Sequence, residues 1–325
     1  MKQKIKHVLA ICVVVCTCLN LPAQQATQYT LFHFDKHLFN PAYAGIEPEL
    51  TATGIFRNQW SGINGSPSYQ QISINSPLIA GISGVGLNFE NDQLGLEHNI
   101  NASVSYSHLV RISESSIFSV GARGIWSRKI LDGSKITTPD GVYESGSLPD
   151  HKDDLLPINS VNGNILSLGA GVLLKTDMFE IGLGADGILP SDYSFPGLRI
   201  KRDPTYYGNI GITRSIADNV LLSIEGLIKS NGILIQTDAV VKLSIRNNIF
   251  AGGAFRGYNN QTTDAASIFG GVRVKENITL MMAYDFGLSE IKTIHNGSIE
   301  IGLKYVYGNK IFREKLPPII FNPRY

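Results

Sequence analysis

The sequence predicts an all-β chain: a transmembrane outer-membrane β-barrel of about fourteen antiparallel strands. Three observations predict it. The first is an alternation of apolar and polar residues that recurs through most of the chain. The second is the length of each alternating run. In "INASVSYSHLVRI" (100–112), Ile100, Ala102, Val104, Tyr106, His108, Val110 and Ile112 share one face. Asn101, Ser103, Ser105, Ser107 and Arg111 share the other, with Leu109 as the exception. That is twice the ~5–6 residues of an ordinary strand, and it matches the ~9–11 tilted residues that cross a bilayer with every backbone group paired. The third is the spacing of the connections, short and long in turn, as in barrels with tight turns at one end and loops at the other.

Taken in order, the chain opens with Lys2, Lys4 and Lys6, an apolar stretch from Val8 to Leu19, and Leu21-Pro22-Ala23 ahead of Gln24-Gln25. This is an export signal over residues 1–23, too short to anchor the chain. Cys12, Cys16 and Cys18, the only cysteines, fall inside it. Val15 and Thr17 before them fit lipidation poorly. The exported protein is then cysteine-free, and a hydrogen-bonded sheet must stabilise it without disulfides. A net charge of +1 gives no basis for a nucleic-acid partner.

Residues 24–46 lack period-two order but carry Tyr29, Phe32, Phe34, Leu38 and Phe39. They are too apolar for a free tail and are expected to tuck into or under the barrel. Asn40-Pro41 marks a turn there. His33 and His37, four apart, lack a third metal ligand. No metal site and no cofactor is expected.

The barrel is expected over 47–308. Strong alternation runs through residues 120–126, 166–174, 179–185, 220–228, 233–245, 268–274, 278–286 and 299–307, with weaker segments near 49–59, 68–77, 84–91, 205–215 and 248–257. Short turns are expected near 113–116, 176–177, 216–219, 246–248 and 275–277. Long loops are expected over 131–163, 188–204, 258–265 and 288–297, with 131–163 outside the cell. The polar faces direct Arg57, Arg123, Lys242, Arg256, Arg273 and Lys304 into the lumen, with Asp186, Glu225, Asp238, Asp285 and Glu300. This mixed set suits a cross-linked, partly occluded interior better than an ion-selective pore. A short periplasmic tail, 309–325, is expected to follow.

"FNPAYAG" (39–45), followed by "TATGIFRNQWSGINGSPSYQQISINSPL" (51–78), resembles the PorP/SprF family of outer-membrane proteins from the type IX secretion and gliding system of the Bacteroidota. The residues that carry the resemblance are Asn40, Pro41, Ala42, Tyr43, Ala44, Gly45, Arg57, Gln59, Trp60, Gly62, Gly65, Pro67 and Pro77. The closing "FNPRY" (321–325) is similar to short tails in the same family. The resemblance implies a barrel that anchors, or helps to export, a secreted surface protein such as an adhesin through that protein's C-terminal domain. It also implies periplasmic ring or peptidoglycan-linked subunits as further partners, and outer-membrane lipid as the surroundings.

Three function classes follow. The first is a non-enzymatic partner-binding barrel. The second is a diffusion channel or hydrophobic-solute transporter, told apart by conductance or uptake. The third is an outer-membrane hydrolase, which needs a nucleophile and base together at a strand's outer end. His98 and His108 fall on the lipid-facing register, and His151 lies in the longest loop beside Asp150 and Asp153. No catalytic set is expected. Partner anchors are expected in the long loops, where Tyr143, Tyr193, Phe195 and Arg199 supply the aromatic and Arg chemistry that dominates interfaces.

Overall fold

The computed structural model describes residues 28–79, 81–143, 150–258 and 262–308. The expected export signal (1–23), residues 24–27 and the expected tail (309–325) lie outside these. Sixteen strands follow one another: Leu50–Asn58 (β1), Ser68–Ile79 (β2), Ser83–Leu94 (β3), Glu97–Ser113 (β4), Ser116–Asp132 (β5), Ser160–Thr176 (β6), Phe179–Asp186 (β7), Ser191–Phe195 (β8), Leu198–Arg202 (β9), Thr205–Ala217 (β10), Val220–Ser230 (β11), Ile235–Ile245 (β12), Ile249–Tyr258 (β13), Thr262–Lys275 (β14), Ile278–Gly287 (β15) and Ser298–Tyr307 (β16).

Fourteen of them close into one antiparallel barrel, each paired with the next in sequence except that β7 pairs with β10. β1 closes on β16, from Leu50 opposite Tyr307 to Asn58 opposite Ile299. β8 and β9 form a separate hairpin between β7 and β10. Closure pairs neighbouring strands around the part of the wall that crosses the bilayer, which is why strands can cross hydrocarbon at all. The alternation is now physical: Val104, Tyr106 and Val110 of β4 stand exposed on the outer face, and Ser103, Ser105, Ser107 and Leu109 are buried inside.

The end that carries the turns 114–115, 177–178, 218–219 and 246–248 also receives the chain entering β1 and leaving β16. Short turns assign it to the periplasmic side. At the other end the connections are less uniform than the sequence suggests. β5 and β6 pair as far as Asp132 opposite Ser160, so the loop is 133–159 rather than 131–163. Most of 258–265 is strand, and β3 joins β4 through only Gly95 and Leu96, with Gly95 at φ 56°. Above the membrane an outward residue no longer has to be apolar, so the ladder continues where the alternation fades.

The wall is uneven in height. β4, β5 and β6 each have 17 residues, while β7 has eight. β6 pairs with β5 along its whole length but meets β7 only from Gly169 onward.

Candidate functional site

The lumen is filled by the chain's own N-terminal segment. Tyr29, Leu31, Phe32, Phe34, Leu38, Phe39, Ala42 and Tyr43 are all buried, packed on Tyr69, Leu173, Leu227, Val240 and Phe269 of the inner wall. Short 3-10 turns at Phe32–Phe34, Lys36–Leu38 and Pro41–Tyr43 compact it.

One side of this plug is held by a charged lattice. Arg57 of β1 donates to Asp285 of β15 at 2.6 Å and to Glu300 of β16 at 3.0 Å. Glu300, 0 % exposed, accepts the backbone N–H groups of Thr30 at 2.8 Å and Leu31 at 2.9 Å. The Thr30 hydroxyl donates to Asp285 at 2.7 Å and accepts from Arg57 and Arg256, each at 3.3 Å. Arg256 is paired with Asp238 at 2.6 Å, and Gln59 donates to Gln28 at 2.9 Å. Lower in the barrel, Lys36 bridges Glu180 and Glu225, at 2.6 Å to the latter, and Gln71 donates to Asp35 at 2.6 Å. Pairing of this density is what allows charge to be buried at all.

The other side is held by close backbone approach. Asn40 caps the last turn by accepting from the Ala42 N–H at 2.9 Å, with Pro41 at the first helical position. The turn lies against inward-facing glycines of β3, β5, β6 and β7. A Cβ at Gly84 would stand 2.4 Å from the Ala44 carbonyl oxygen, one at Gly121 2.4 Å from the Ala42 nitrogen, and one at Gly184 2.5 Å from the Phe39 carbonyl oxygen. Ser119 donates to the Ala42 carbonyl at 2.8 Å and Ser107 to that of Ala44 at 2.5 Å. Arg123 reaches the carbonyls of Leu38, at 2.7 Å, and His37 while pairing with Asp186 at 3.2 Å. Gly45 ends the motif at φ 66°, where an L side chain would also run into Gly84.

His33 packs on the ring of Phe269 at 4.8 Å, and His37 meets the Ser73 hydroxyl at 3.3 Å. Both belong to the plug, which contributes no spanning strand. Burial pushes both imidazoles down to about 3, helped by Lys242 beside His33 and Arg123 beside His37.

Among the described residues, cavities flank the plug on both sides. The periplasmic one, about 350 Å³, is lined by Lys175, Lys242 and Lys304 and by Glu47, Glu180 and Glu225. The outer one, about 160 Å³, lies among Glu90, Arg123, Asp186, Arg202 and Lys229. Above it the β8–β9 hairpin folds onto the inner wall, packing Tyr193 and Phe195 against Leu131 of β5 and Ile165 of β6. The hairpin backbone passes directly over Gly163, where a Cβ would come within 3.1 Å of the Ser194 carbonyl oxygen.

Several expectations therefore need correction. Loop 188–204 is an ordered hairpin. Its Tyr193 and Phe195 are buried in its own packing, so they are not free anchors; Arg199 and Tyr143 stand exposed. Tyr143 is tied within its loop, accepting from the Thr138 N–H at 2.7 Å and meeting His151 at 3.2 Å. Among the lumen charges, Arg57, Arg123, Asp186, Glu225, Asp238, Arg256, Asp285 and Glu300 are buried and Lys242 and Lys304 half-buried, but Arg273 is exposed near the inner end of β14. In the motif, Trp60 follows β1 at φ 54°, and Gly62 and Gly65 of the next loop are at φ 98° and 74°. Gln28, Thr30, Lys36, Ser107 and Ser119 carry plug contacts that the sequence pattern alone does not point to. Hydroxyls every second residue on an inner face were the available signal for the two serines.

These features define a class: an integral outer-membrane β-barrel of fourteen strands, occluded by its own N-terminal segment. Residues 21–305 match the model of the type IX secretion system membrane protein PorP/SprF, and the chain belongs to that family. Among solved structures it is similar in fold to the CymD monoaromatic hydrocarbon channel, at 11% identity and a TM-score of 0.50, covering 84% of this chain and 92% of that one. A Pseudomonas aeruginosa FadL homologue (11% identity, TM-score 0.46, 83% and 93% covered) and the P. putida toluene transporter TodX (11% identity, TM-score 0.46, 84% and 94% covered) also align. No curated protein matches the chain.

Proposed function

We propose that this family member acts without catalysis, receiving a secreted surface protein at its outer mouth and holding it through that protein's C-terminal domain. The observation that carries the reading is the plug. A lumen occupied by Tyr29–Tyr43 and cross-linked through Arg57, Asp285 and Glu300 offers no open solute path, so what the barrel presents outward is its rim. The described residues of that rim include 133–143, 150–159 and the β8–β9 hairpin, beside the connections 59–67 and 288–297, with Tyr143, Arg199 and Lys201 exposed. Among the described residues, the His37–Ser73 contact is buried between the plug and the inner wall. The periplasmic cavity, with its mixed charges, suits the ring or peptidoglycan-linked subunits of the same machinery.

Exchanging 133–159 and 187–204 for the corresponding loops of a family member that serves a different surface protein is expected to switch which protein stays with the barrel in native outer membranes. Unchanged retention overturns the reading. Planar-bilayer recording separates it from a diffusion channel: the plugged barrel is expected to stay silent, and a steady open conductance favours the channel.

A further inference from the structure

We infer that the outer half of β6 is a strand-docking edge, which pairs with an extended segment of the partner from outside the cell. The inference rests on the function proposed above and specifies how the partner is held.

β6 loses its neighbour at Gly169, where pairing with Asp186 of β7 ends. Beyond that point, Ser160 to Leu168 have β5 on one side and no strand on the other. The direction of the backbone groups follows from two bonds. The Leu168 carbonyl accepts from the Ile188 N–H at 3.0 Å, on the β7 side, so even-numbered residues of β6 point away from β5. Asp132, opposite Ser160, donates its N–H to the Leu96 carbonyl at 3.0 Å, on its β4 side, which gives the same phase. Asn162, Asn164 and Leu166 thus turn both N–H and C=O toward the vacant side. Among the described residues no backbone partner meets them. The hairpin that covers this part of the wall passes across its inner face at Gly163 and forms no ladder with β6.

The height of this edge sets the side from which it is reached. Leu166 is opposite Trp126, and its outer face is 75 % exposed. A Trp at that level marks the membrane interface. The next outward pairs up the wall are Arg128 with Asn164 and Ile130 with Asn162, polar enough to stand in water. A row of unpaired groups on an extended strand is a template for another strand, and proteins that do not use such an edge cover it, shorten it or charge it. Only an extended polypeptide matches its spacing, as in strand addition to other exposed sheet edges. Arg128, whose buried Nε has no hydrogen-bond partner, sits one strand in and calls for a carboxylate on the incoming segment. Leu166 calls for an apolar residue two positions along from it. The edge also adjoins the hairpin and loop 133–159, so one partner domain can engage all three.

The test uses the full-length barrel in cells whose surface proteins are biotinylated. Photo-crosslinking residues at Asn162 and Asn164 are expected to form adducts with the retained surface protein, mapping to an extended segment of its C-terminal domain. The same group at His98, which shares the Ile130 level but lies on a strand paired on both sides, is expected to form none. Asn162→Pro with Asn164→Pro removes two free donors and leaves the β5 ladder intact, so retention is expected to fall about tenfold or more. Heat-modifiability on gels shows whether the double variant folds, and the crosslinks decide if it does not. Silent crosslinks at 162 and 164 while loop exchange still switches retention overturn the docking edge and leave the proposed function standing. Adducts between two copies of the barrel also overturn it, in favour of a homotypic edge. Retention that responds to neither loops nor edge defeats both.

Discussion

The two sides of the lumen hold the same N-terminal segment by different physics. On the wall formed by β1 and β12–β16, long side chains reach inward, and residues 28–31 are fixed by Arg57, Arg256, Asp285 and Glu300. On the wall formed by β3–β7, side chains are missing where they matter. Gly84, Gly121 and Gly184 let the backbone of Phe39–Ala44 lie against the strands, and Ser107 and Ser119 bond its carbonyls. The charged side tolerates small shifts because long side chains follow. The glycine side does not, because backbone meets backbone. A residue can therefore be as necessary to this plug for the atoms it lacks as for those it carries.

The charged side is expected to give the largest single effect. Arg57→Ala leaves buried Glu300 without its cation and buried Asp285 with Arg256 alone, at 3.5 Å, and removing one partner of a buried ion pair typically costs ~3–5 kcal/mol. The thermal transition of the heat-modifiable barrel should drop accordingly, and residues 28–31 should become open to protease. Arg57→Lys should recover only part of the loss, since one ammonium cannot reproduce the fork that spans the two carboxylates. A variant of wild-type stability would show that the lattice is incidental and leave the glycine wall as the sole support.

The glycine side is tested by a matched pair. Gly121→Val places a side chain on the Ala42 nitrogen, whereas Gly124, on the outer face of the same strand, has nothing within 4 Å of its Cβ position. Overpacking of this kind costs ~1–3 kcal/mol, so Gly121→Val should loosen the plug and admit a water-soluble thiol probe to a cysteine at Ser103. Gly124→Val should do neither. Equal behaviour of the two variants would mean that the plug does not depend on close approach.

How far this arrangement was legible in the sequence follows from the same contrast. Period-two alternation assigns Arg57, Arg123, Asp285 and Glu300 to the inner face, because lipid penalises charge on the other. It cannot say that Arg57 of β1 meets Asp285 of β15, since that contact exists only once β1 has closed on β16. Alternation also places Arg273 inward without revealing that it lies where the barrel opens. The motif around Asn40-Pro41 showed that the segment turns, and its cap could be read locally. The cradle under it could not, because Gly84, Gly121 and Gly184 look in sequence like ordinary small residues of a strand. The β8–β9 hairpin, by contrast, is legible locally. Tyr193 and Phe195, then Pro196-Gly197, then Leu198 and Ile200 alternate around a turn, with Gly197 at φ 77°. The free edge of β6 had no local signal: it arises because β7 is short.

The smallest effect is expected where the two sides meet. The Tyr43 hydroxyl accepts from Asn209 at 2.6 Å and donates to Glu180 at 3.2 Å, and Glu180 also takes Lys36 of the plug. Tyr43 thus joins the motif on the glycine wall to the charged set below it. Tyr43→Phe keeps the ring and its edge-on contact with Phe39 at 6.4 Å but leaves the buried Asn209 amide short of an acceptor. Glu180 retains its lysine, so the loss should be that of one ordinary hydrogen bond, about 1 kcal/mol. It should appear as a small shift of the barrel's thermal transition with the lumen still closed to the thiol probe. If Tyr43→Phe instead opened the lumen as fully as Gly121→Val, the hydroxyl would be the main latch. The division between a charged wall and a glycine wall would then have to give way to a single site centred on Glu180.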